Sequence, residues 1–472
     1  MAVTVDSFAK RKIAVMGLAR SGMAAVRALL AGGAKVIAWD DSEARRAEAE
    51  KLGARIAEPV TKKVLDGVAA LVLSPGIPHT HPRPHKAAAK AKALGIPIIG
   101  DVELLFLACP HARFIGITGT NGKSTTTALI THVLRSAGRK VEMGGNIGRS
   151  ALDLEPLGPE GIYVIEMSSY QLELTPSAAF DAAILTNITP DHLDRHGGMA
   201  GYIAAKKRIF ANQTAGCVAV VGVDTPEAAA LAQEITGGPA MLVPISALRS
   251  QQSGVAVVDH RILDQAFGAG AIISLPQLPS LPGNHNMENA AATYAVCRAM
   301  GLAIDDIVQG LKTFPGLEHR QQLCAVLDGI PFINDSKATN PDATAKALSS
   351  YTNIFWIAGG KPKDGGFGLL DPYLGNVTRA ILIGEAADAL QAWIAGRLPV
   401  TRAADIAEAV SQSLTLAKRE GGRGPVVLLS PACASFDQFS DFEARGRAFA
   451  RAVAALPASV RDIRWRGEEV TA

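Results

Sequence analysis

Cysteine is sparse in this 472-residue chain: five residues, at positions 109, 217, 297, 324 and 433, with no two close enough for a CxxC pair. An odd count at such wide spacing excludes a disulfide framework and a zinc ribbon, and fits reduced thiols in a cytoplasm. No run approaches the roughly 18 apolar residues of a membrane-spanning helix. No long apolar stretch precedes Gly17 either, so neither a span nor a cleaved leader is expected. Charge of one sign is also lacking. The 47 basic and 44 acidic residues leave a net charge of +3, which gives no electrostatic case for a nucleic-acid partner. The 46 glycines and 26 prolines are dispersed, without a collagen period, a linker tract or a tandem repeat.

Core material is plentiful. Hydrophobic residues make up 48% of the chain and charged residues 19%, which excludes a disordered protein. At about 150 residues per domain the length predicts three domains. Short apolar runs alternate with alanine-rich amphipathic stretches. Runs at 12–16, 35–39 and 71–74 read as strands with helices between them. The rhythm resumes at 113–117, 161–165 and 181–186, and again at 353–358, 380–383 and 425–429. This pattern predicts an α/β fold with parallel sheets covered on both faces. Residues 217–280 read as short alternating hairpins, a small antiparallel part of the central sheet. Boundaries near Gly100 and Pro315 divide the chain into segments 1–100, 101–315 and 316–472.

The strongest local signal is FIGITGTNGKSTTT at 114–127. A buried-type strand enters a glycine-rich turn with Gly119, Thr120, Asn121 and Gly122, then Lys123, Ser124 and Thr125 open a helix. Turn amides and a helix N-terminus cradle an anion. Lys123 would meet the β/γ-phosphates, and Ser124 or Thr125 would bind Mg²⁺. The loop is a Walker variant, since Ile117 stands where the first glycine is usual. The strand at 161–165 ends in Glu166, where a Walker-B-type acid holds Mg²⁺. The next strand ends in TPDHLDRH at 189–196, which offers His192 and Asp194 to the same centre from what reads as an adjacent strand tip. Taken singly, His196 reads as a surface histidine, Asp194 as a partner of Arg195, and Lys206 as one charge on a solvated helix face.

Near the N-terminus, Gly17, Leu18, Ala19, Arg20, Ser21 and Gly22 follow the first strand, like a dinucleotide loop without its middle glycine. Asp40 follows the second strand, at the spacing of a ribose-binding acid, and Ser74, Pro75 and Gly76 follow another. A diphosphate or uridine would dock there, or the loop is a plain βα turn. Asn284 and Asn286 open a helix, as N-caps or as adenine or phosphate contacts. In the last third, polar loops at 334–341, 359–366 and 430–439 follow three strands and define one crevice suited to a small anion.

Taken together, GTNGKST (119–125), GNIG (145–148), EMSSYQLE (166–173), TPDHLDRH (189–196), HNMEN (285–289), EHR (318–320), NDSKATNP (334–341) and SPACASFDQF (430–439) resemble the motifs of the Mur ligases, in family order and over nearly the whole chain. These are ATP-dependent amino-acid ligases of peptidoglycan synthesis. With GLARSG, the last motif most resembles the member that adds D-glutamate to UDP-N-acetylmuramoyl-L-alanine. The folylpolyglutamate synthetases share a similar loop but favour GKGS. The resemblance implies a UDP-binding Rossmann-like domain, a central ATPase and a C-terminal Rossmann-like domain that receives the amino acid. It implies that Ser124 and Glu166 hold one Mg²⁺, and that His192 and a carbamylated Lys206 serve a second. It places Asn286, Asn289, Arg320 and Asp335 at ATP, Asn146 and His192 near the alanine end of the nucleotide sugar, and Lys337, Thr339, Lys363, Ser435 and Phe442 at D-glutamate. Lys361 competes with Lys363 for its role, and Asp40 stands in a segment that departs from the family pattern. The implied enzyme is a cytoplasmic monomer with small-molecule partners. Its acyl phosphate must be kept from water, which predicts closure of the third domain on the second.

Overall fold

The computed structural model describes residues 2–463 apart from 269–270, 276–277, 279, 282, 363–365 and 460. The first sheet contains β1 (Lys12–Met16), β2 (Lys35–Trp39), β3 (Arg55–Ile56), β4 (Val68–Leu73) and β5 (Ile98–Ile99), in the order β3-β2-β1-β4-β5 and parallel throughout. From Ile13 to Met16, β1 is buried at every position, which is why its sequence is an unbroken apolar run. After β1 the chain builds outward through β2 and β3, then returns to the other side as β4. The loops after β1 and β4 therefore face each other at a topological switch point, where open α/β sheets bind ligands.

The second sheet has nine strands: β6 (Arg113–Thr118), β7 (Lys140–Gly145), β8 (Gly161–Glu166), β9 (Ala182–Leu185), β10 (Val218–Gly222), β11 (Met241–Ser246), β12 (Val255–Val258), β13 (Arg261–Asp264) and β14 (Ala271–Ser274). Their order is β14-β13-β12-β11-β10-β9-β6-β8-β7. Antiparallel pairing is confined to β12–β13 and β13–β14. Two expectations need correction here. The stretch from 217 is not all hairpins, because β10 and β11 are parallel strands joined through the helix Pro226–Ile235. β10 is buried at all five positions, so its run belongs to a sheet interior and does not alternate. Nor are the tips of β8 and β9 adjacent. β6 lies between them and pairs with both, so the strand that leads into the phosphate loop is flanked on each side by an acid- or histidine-bearing loop.

The chain divides into two compact units, Met1–Leu278 with Asn284–Phe314, and Pro279–Gly283 with Pro315–Ala472. Within the first unit, both sheets feed one hydrophobic cluster, in which Val15, Leu29 and Val72 join Phe114, Tyr163 and Phe180. The second unit holds the third sheet: β15 (Gln322–Leu327), β16 (Ile330–Asn334), β17 (Ile354–Gly359), β18 (Val377–Ile383), β19 (Val400–Arg402), β20 (Val426–Leu429) and β21 (Arg461–Ile463). The order is β19-β18-β17-β20-β16-β15-β21, with β15 and β21 antiparallel. Along β17, Phe355 and Ile357 enter one core and Trp356 and Ala358 the other, as the two-residue period of a strand requires. The neighbours β17, β20 and β16 bring their three following loops side by side. Among the described residues no helix is long and apolar enough to cross a membrane.

Candidate active site

The phosphate loop is shaped by its glycines. Gly119 has φ +146°, and a Cβ there would meet Thr186 Oγ1 at 1.9 Å, so the loop closes onto the end of β9 only without a side chain. Thr186 Oγ1 donates to Asn121 O at 2.6 Å, and Asn187 Oδ1 accepts from Asn121 N at 2.9 Å. Gly122, at φ +83°, leads into the helix Lys123–Ser136. The first N–H groups of such a helix lack intrahelical partners and face an incoming anion. Lys123 Nζ curls over the loop and donates to Gly119 O (3.0 Å) and Thr120 O (2.8 Å), within reach of any phosphate seated there. Ser124 is buried at the helix start, with Thr125 beside it. Asn289 Oδ1 accepts from Thr126 Oγ1 at 3.0 Å, and Asn289 Nδ2 donates to Asn286 Oδ1 at 3.0 Å. Both asparagines are thus buried beside the loop. Asn286 sits in the first turn of the helix Asn284–Ala299, not at its cap.

Glu166 is 2% exposed. Asn146 Nδ2 donates to its Oε1 at 2.7 Å, while Oε2 is buried with no hydrogen-bond partner. A buried carboxylate oxygen without a donor fits a cation-binding position. Lys206 corrects the expectation of a solvated charge. It is 2% exposed, lies 4.6 Å from the centre of the Tyr202 ring, and donates to Gly119 O at 2.7 Å. Burial, chiefly, and the charge of Lys123 hold its amine well below the usual lysine range, against the pull of Asp191 and Glu166. The helix Met199–Lys207 turns this one lysine inward. His192 opens the turn Leu193–His196. It has φ +51°, its side chain is half exposed, and its partners are Asp191 (3.5 Å) and the Tyr170 ring (5.2 Å). Asp194 is exposed and leaves Arg195 to Glu173, while Asp191 is the acid of that turn whose charge reaches Lys206. His196 is buried, not at the surface, and pairs with Ser169 Oγ at 2.9 Å.

At the switch point of the first sheet, a Cβ on Gly22 would meet Gly17 O at 1.8 Å, and Ser74 Oγ donates to Gly17 O at 2.9 Å. Asp40 holds this loop from below: its carboxylate accepts from Leu18 N (2.6 Å) and Ser42 N (2.9 Å). Burial would raise its pKa, but those hydrogen bonds and Arg45 bring it below the usual carboxylate range. Both of its oxygens are therefore already engaged by backbone. Ala19, Arg20, Ser21 and Pro75 line a cavity of about 230 Å³ together with Asn146 and Asp101. Leu18 is buried beneath the loop, and Gly76 is exposed at the tip of the neighbouring one.

In the second unit, Asp335 Oδ2 accepts from Ser430 Oγ at 2.8 Å, and Oδ1 from Gln321 N at 3.2 Å. Burial pushes this carboxyl up to about 7 despite those bonds and the nearby Arg320. Lys337 Nζ lies 3.9 Å from the centre of the Phe442 ring, and Thr339 follows on the same loop. Lys361 pairs through its backbone with Ala434, next to the buried Ser435. Lys363 lies outside the described residues. Sequence reasoning missed Arg445, which is 1% exposed and donates to Ser336 Oγ and O and to Cys433 O and Ala434 O. It also missed His319, whose ring fills the space left by Gly446 and whose pKa burial lowers to about 4. Glu288 went unread as well: buried near Asn187, it is raised by burial to about 8. Each is an ordinary helix or loop position in sequence, and only burial marks it.

Family models match the chain in three consecutive parts: the Mur ligase MurD-like N-terminal domain at residues 11–100, the Mur ligase middle domain at 117–297, and the Mur ligase glutamate ligase domain at 319–433. The chain is 49% identical to UDP-N-acetylmuramoylalanine--D-glutamate ligase of Paramagnetospirillum magneticum, over 96% of this chain and 98% of that protein. It is 48% identical to the protein of the same name from Phenylobacterium zucineum, over 96% and 98%. Among solved structures, MurF from Acinetobacter baumannii superposes with a TM-score of 0.57 at 17% identity, covering 89% of this chain and 91% of that one. The UDP-N-acetylmuramate-alanine ligase MurC from Thermotoga maritima gives 0.54 at 18%, covering 93% and 98%. These two share the fold. With relatives nearly half identical along almost their whole length, and three family domains in sequence order, the chain belongs to the Mur ligase family.

Proposed function

We propose that the protein is an ATP-dependent ligase that joins D-glutamate to the alanine carboxylate of UDP-N-acetylmuramoyl-L-alanine and releases ADP and phosphate in peptidoglycan precursor synthesis. The observation that carries this reading is Asn146. It lines the cavity beside the Ala19–Ser21 loop and also donates to Glu166 at 2.7 Å. A nucleotide-sugar loop and a phosphoryl-transfer acid are thus one side chain apart, as a reaction between the two substrates requires.

A carboxylate is inert to amines because oxide is a poor leaving group. Attack of the alanine carboxylate on the γ-phosphorus of ATP expels ADP and leaves an acyl phosphate. The amine of D-glutamate then adds to the acyl carbon, and phosphate departs as the amide forms. Two anions must meet in the first step, so Lys123 and the loop amides work mainly by offsetting charge. Asn146 and His192 orient the alanine end. Asn286, Asn289, Arg320 and Asp335 hold ATP, and Lys337, Thr339, Lys363, Ser435 and Phe442 receive D-glutamate, whose two carboxylates call for cations and hydroxyls. The segments 1–100, 101–315 and 316–472 divide these tasks among nucleotide sugar, ATP and amino acid.

Ser124 and Glu166 would hold Mg²⁺, which when bound supplies further neutralisation of the phosphate charge. The orphaned Glu166 Oε2 supports that assignment. ATP phosphates, water and a side chain modified to carry a carboxylate would complete the donor set. Lys206 is the candidate for that modification, since its uncharged amine is the form that takes up CO₂ as a carbamate and serves a second ion with His192. We place the reaction in the cytoplasm, carried out by a monomer, with none of the five cysteines in a disulfide. The test is phosphate release from ATP and Mg²⁺ with UDP-N-acetylmuramoyl-L-alanine, comparing D-glutamate with L-glutamate, L-lysine and meso-diaminopimelate. Release that needs the nucleotide sugar and D-glutamate together supports the reading. Release without an amino acid refutes it.

A further inference from the structure

A buried ionic cluster that the chemistry above does not use ties the segment after β4 to the turn that carries His192. Arg195 is 6% exposed. Its Nη2 donates to Ile77 O at 3.2 Å, its Nη1 lies 3.9 Å from Glu173 Oε2, and its guanidinium lies 4.9 Å from the centre of the Tyr170 ring. His196 Nδ1 lies 3.7 Å from Glu173 Oε1 on the other side. A Cβ on Gly197 would meet His81 Nε2 at 2.9 Å, so residues 77–81 rest directly on this turn. Yet the cluster is poorly satisfied. Arg195 Nε and Nη1 and Glu173 Oε2 are all buried without a hydrogen-bond partner. A buried pair with loose geometry adds little stability, because desolvation offsets its attraction. What it does fix is register.

We infer that Arg195 is a positioning residue, which sets the spacing between the nucleotide end and the reacting end of one bound substrate. This rests on the function proposed above. Residues 77–81 continue directly from Ser74, Pro75 and Gly76, the loop beside the nucleotide. The turn Leu193–His196 is preceded by Asp191 and His192 at the carboxylate end. A ligand that spans both loses reaction geometry if they slip by an ångström, and Arg195 is the side chain that bonds to one segment while belonging to the other.

The test is calorimetric titration of wild type, R195Q, R195K and E173Q with UDP and, separately, with UDP-N-acetylmuramoyl-L-alanine, alongside initial rates. R195Q should bind UDP within about twofold of wild type but the full nucleotide sugar roughly tenfold more weakly, the loss of one charge-assisted contact. Its kcat should fall while KM for ATP and D-glutamate stays within about twofold. E173Q should follow R195Q, and R195K, which keeps the charge, should fall between and carry the test if R195Q does not fold. An equal loss for UDP and for the full substrate, or a parallel rise in all three KM values, would reduce Arg195 to a structural contact and overturn the inference. So would an unchanged affinity for the full substrate. A wild type that binds the nucleotide sugar but joins no D-glutamate would overturn the function instead, and the binding comparison would still decide the role of Arg195.

Discussion

Replacing Arg445 with methionine should destabilise the second unit strongly. The guanidinium is 1% exposed, and its hydrogen bonds go to a hydroxyl and to backbone carbonyls. Nε donates to Ser336 Oγ at 3.0 Å, Nη2 to Ser336 O at 2.9 Å and Cys433 O at 3.2 Å, and Nη1 to Cys433 O and Ala434 O at 3.2 Å. It therefore staples the loop after β16 to the loop after β20. Burial lowers its pKa to about 10, so the charge persists at neutral pH. Methionine fills much of the volume but takes the guanidinium donor from Ser336 O and Cys433 O, at roughly 1–3 kcal/mol each, while Ala434 O keeps its bond from Lys361 N. Removing a desolvated cation returns part of that. The net loss should be roughly 2–4 kcal/mol, or about 8 °C in melting temperature for a unit of this size. With the loops unpinned, KM for D-glutamate should rise roughly tenfold or more. R445K should be intermediate, because three donors on one nitrogen cannot serve a forked set of acceptors. Scanning calorimetry and initial rates check both effects. If R445M melts within about 2 °C of wild type and keeps its KM for D-glutamate, the staple argument is wrong.

Glu288 titrates at about 8 against an ordinary 4.5, raised by burial and by Asp224. The native state therefore holds this proton more tightly than the unfolded chain, and stability falls as pH rises from the unfolded to the native pKa, by about 5 kcal/mol at 1.36 per unit. Urea unfolding between pH 6 and 9 should show the upper part of that decline, about 2.7 kcal/mol, in wild type and a flatter profile in E288Q; parallel profiles would contradict it. At Lys206, K206R installs a guanidinium that can neither discharge nor take up CO₂ beside Lys123, and kcat should fall roughly a hundredfold or more. Phosphate-release rates near wild type would remove Lys206 from the metal side. Finally, G22A must push a Cβ against Gly17 O, a backbone atom, whereas Gly158 has open space around it. G22A should lose roughly 2–4 kcal/mol and weaken UDP binding, with G158A as the neutral control, and equal behaviour of the two would discredit the packing argument.

Local signals were legible without coordinates. The phosphate loop announces itself because a buried strand, a pair of glycines and a helix start are contiguous, and each depends only on its neighbours in sequence. β1 and β2 lie where their apolar runs place them. The stretch from 217 was harder, because a buried parallel strand and a half of a hairpin look alike over five residues. Only at β12 does antiparallel pairing begin.

Sequence by itself thus determined the α/β class and the order of the family's domains. Tertiary structure decided which loops meet. A crossover can land on either side of a strand, so nothing in the chain says that β6 separates β8 from β9. Burial is likewise a property of the assembled fold. Lys206, His196, Glu288 and Arg445 have the one-dimensional surroundings of surface residues, and only packing removes them from water. That removal is what lowers the pKa of a lysine, keeps a glutamate protonated and makes an arginine a staple, because the cost of a charge depends on what surrounds it in space rather than on what precedes it in the chain.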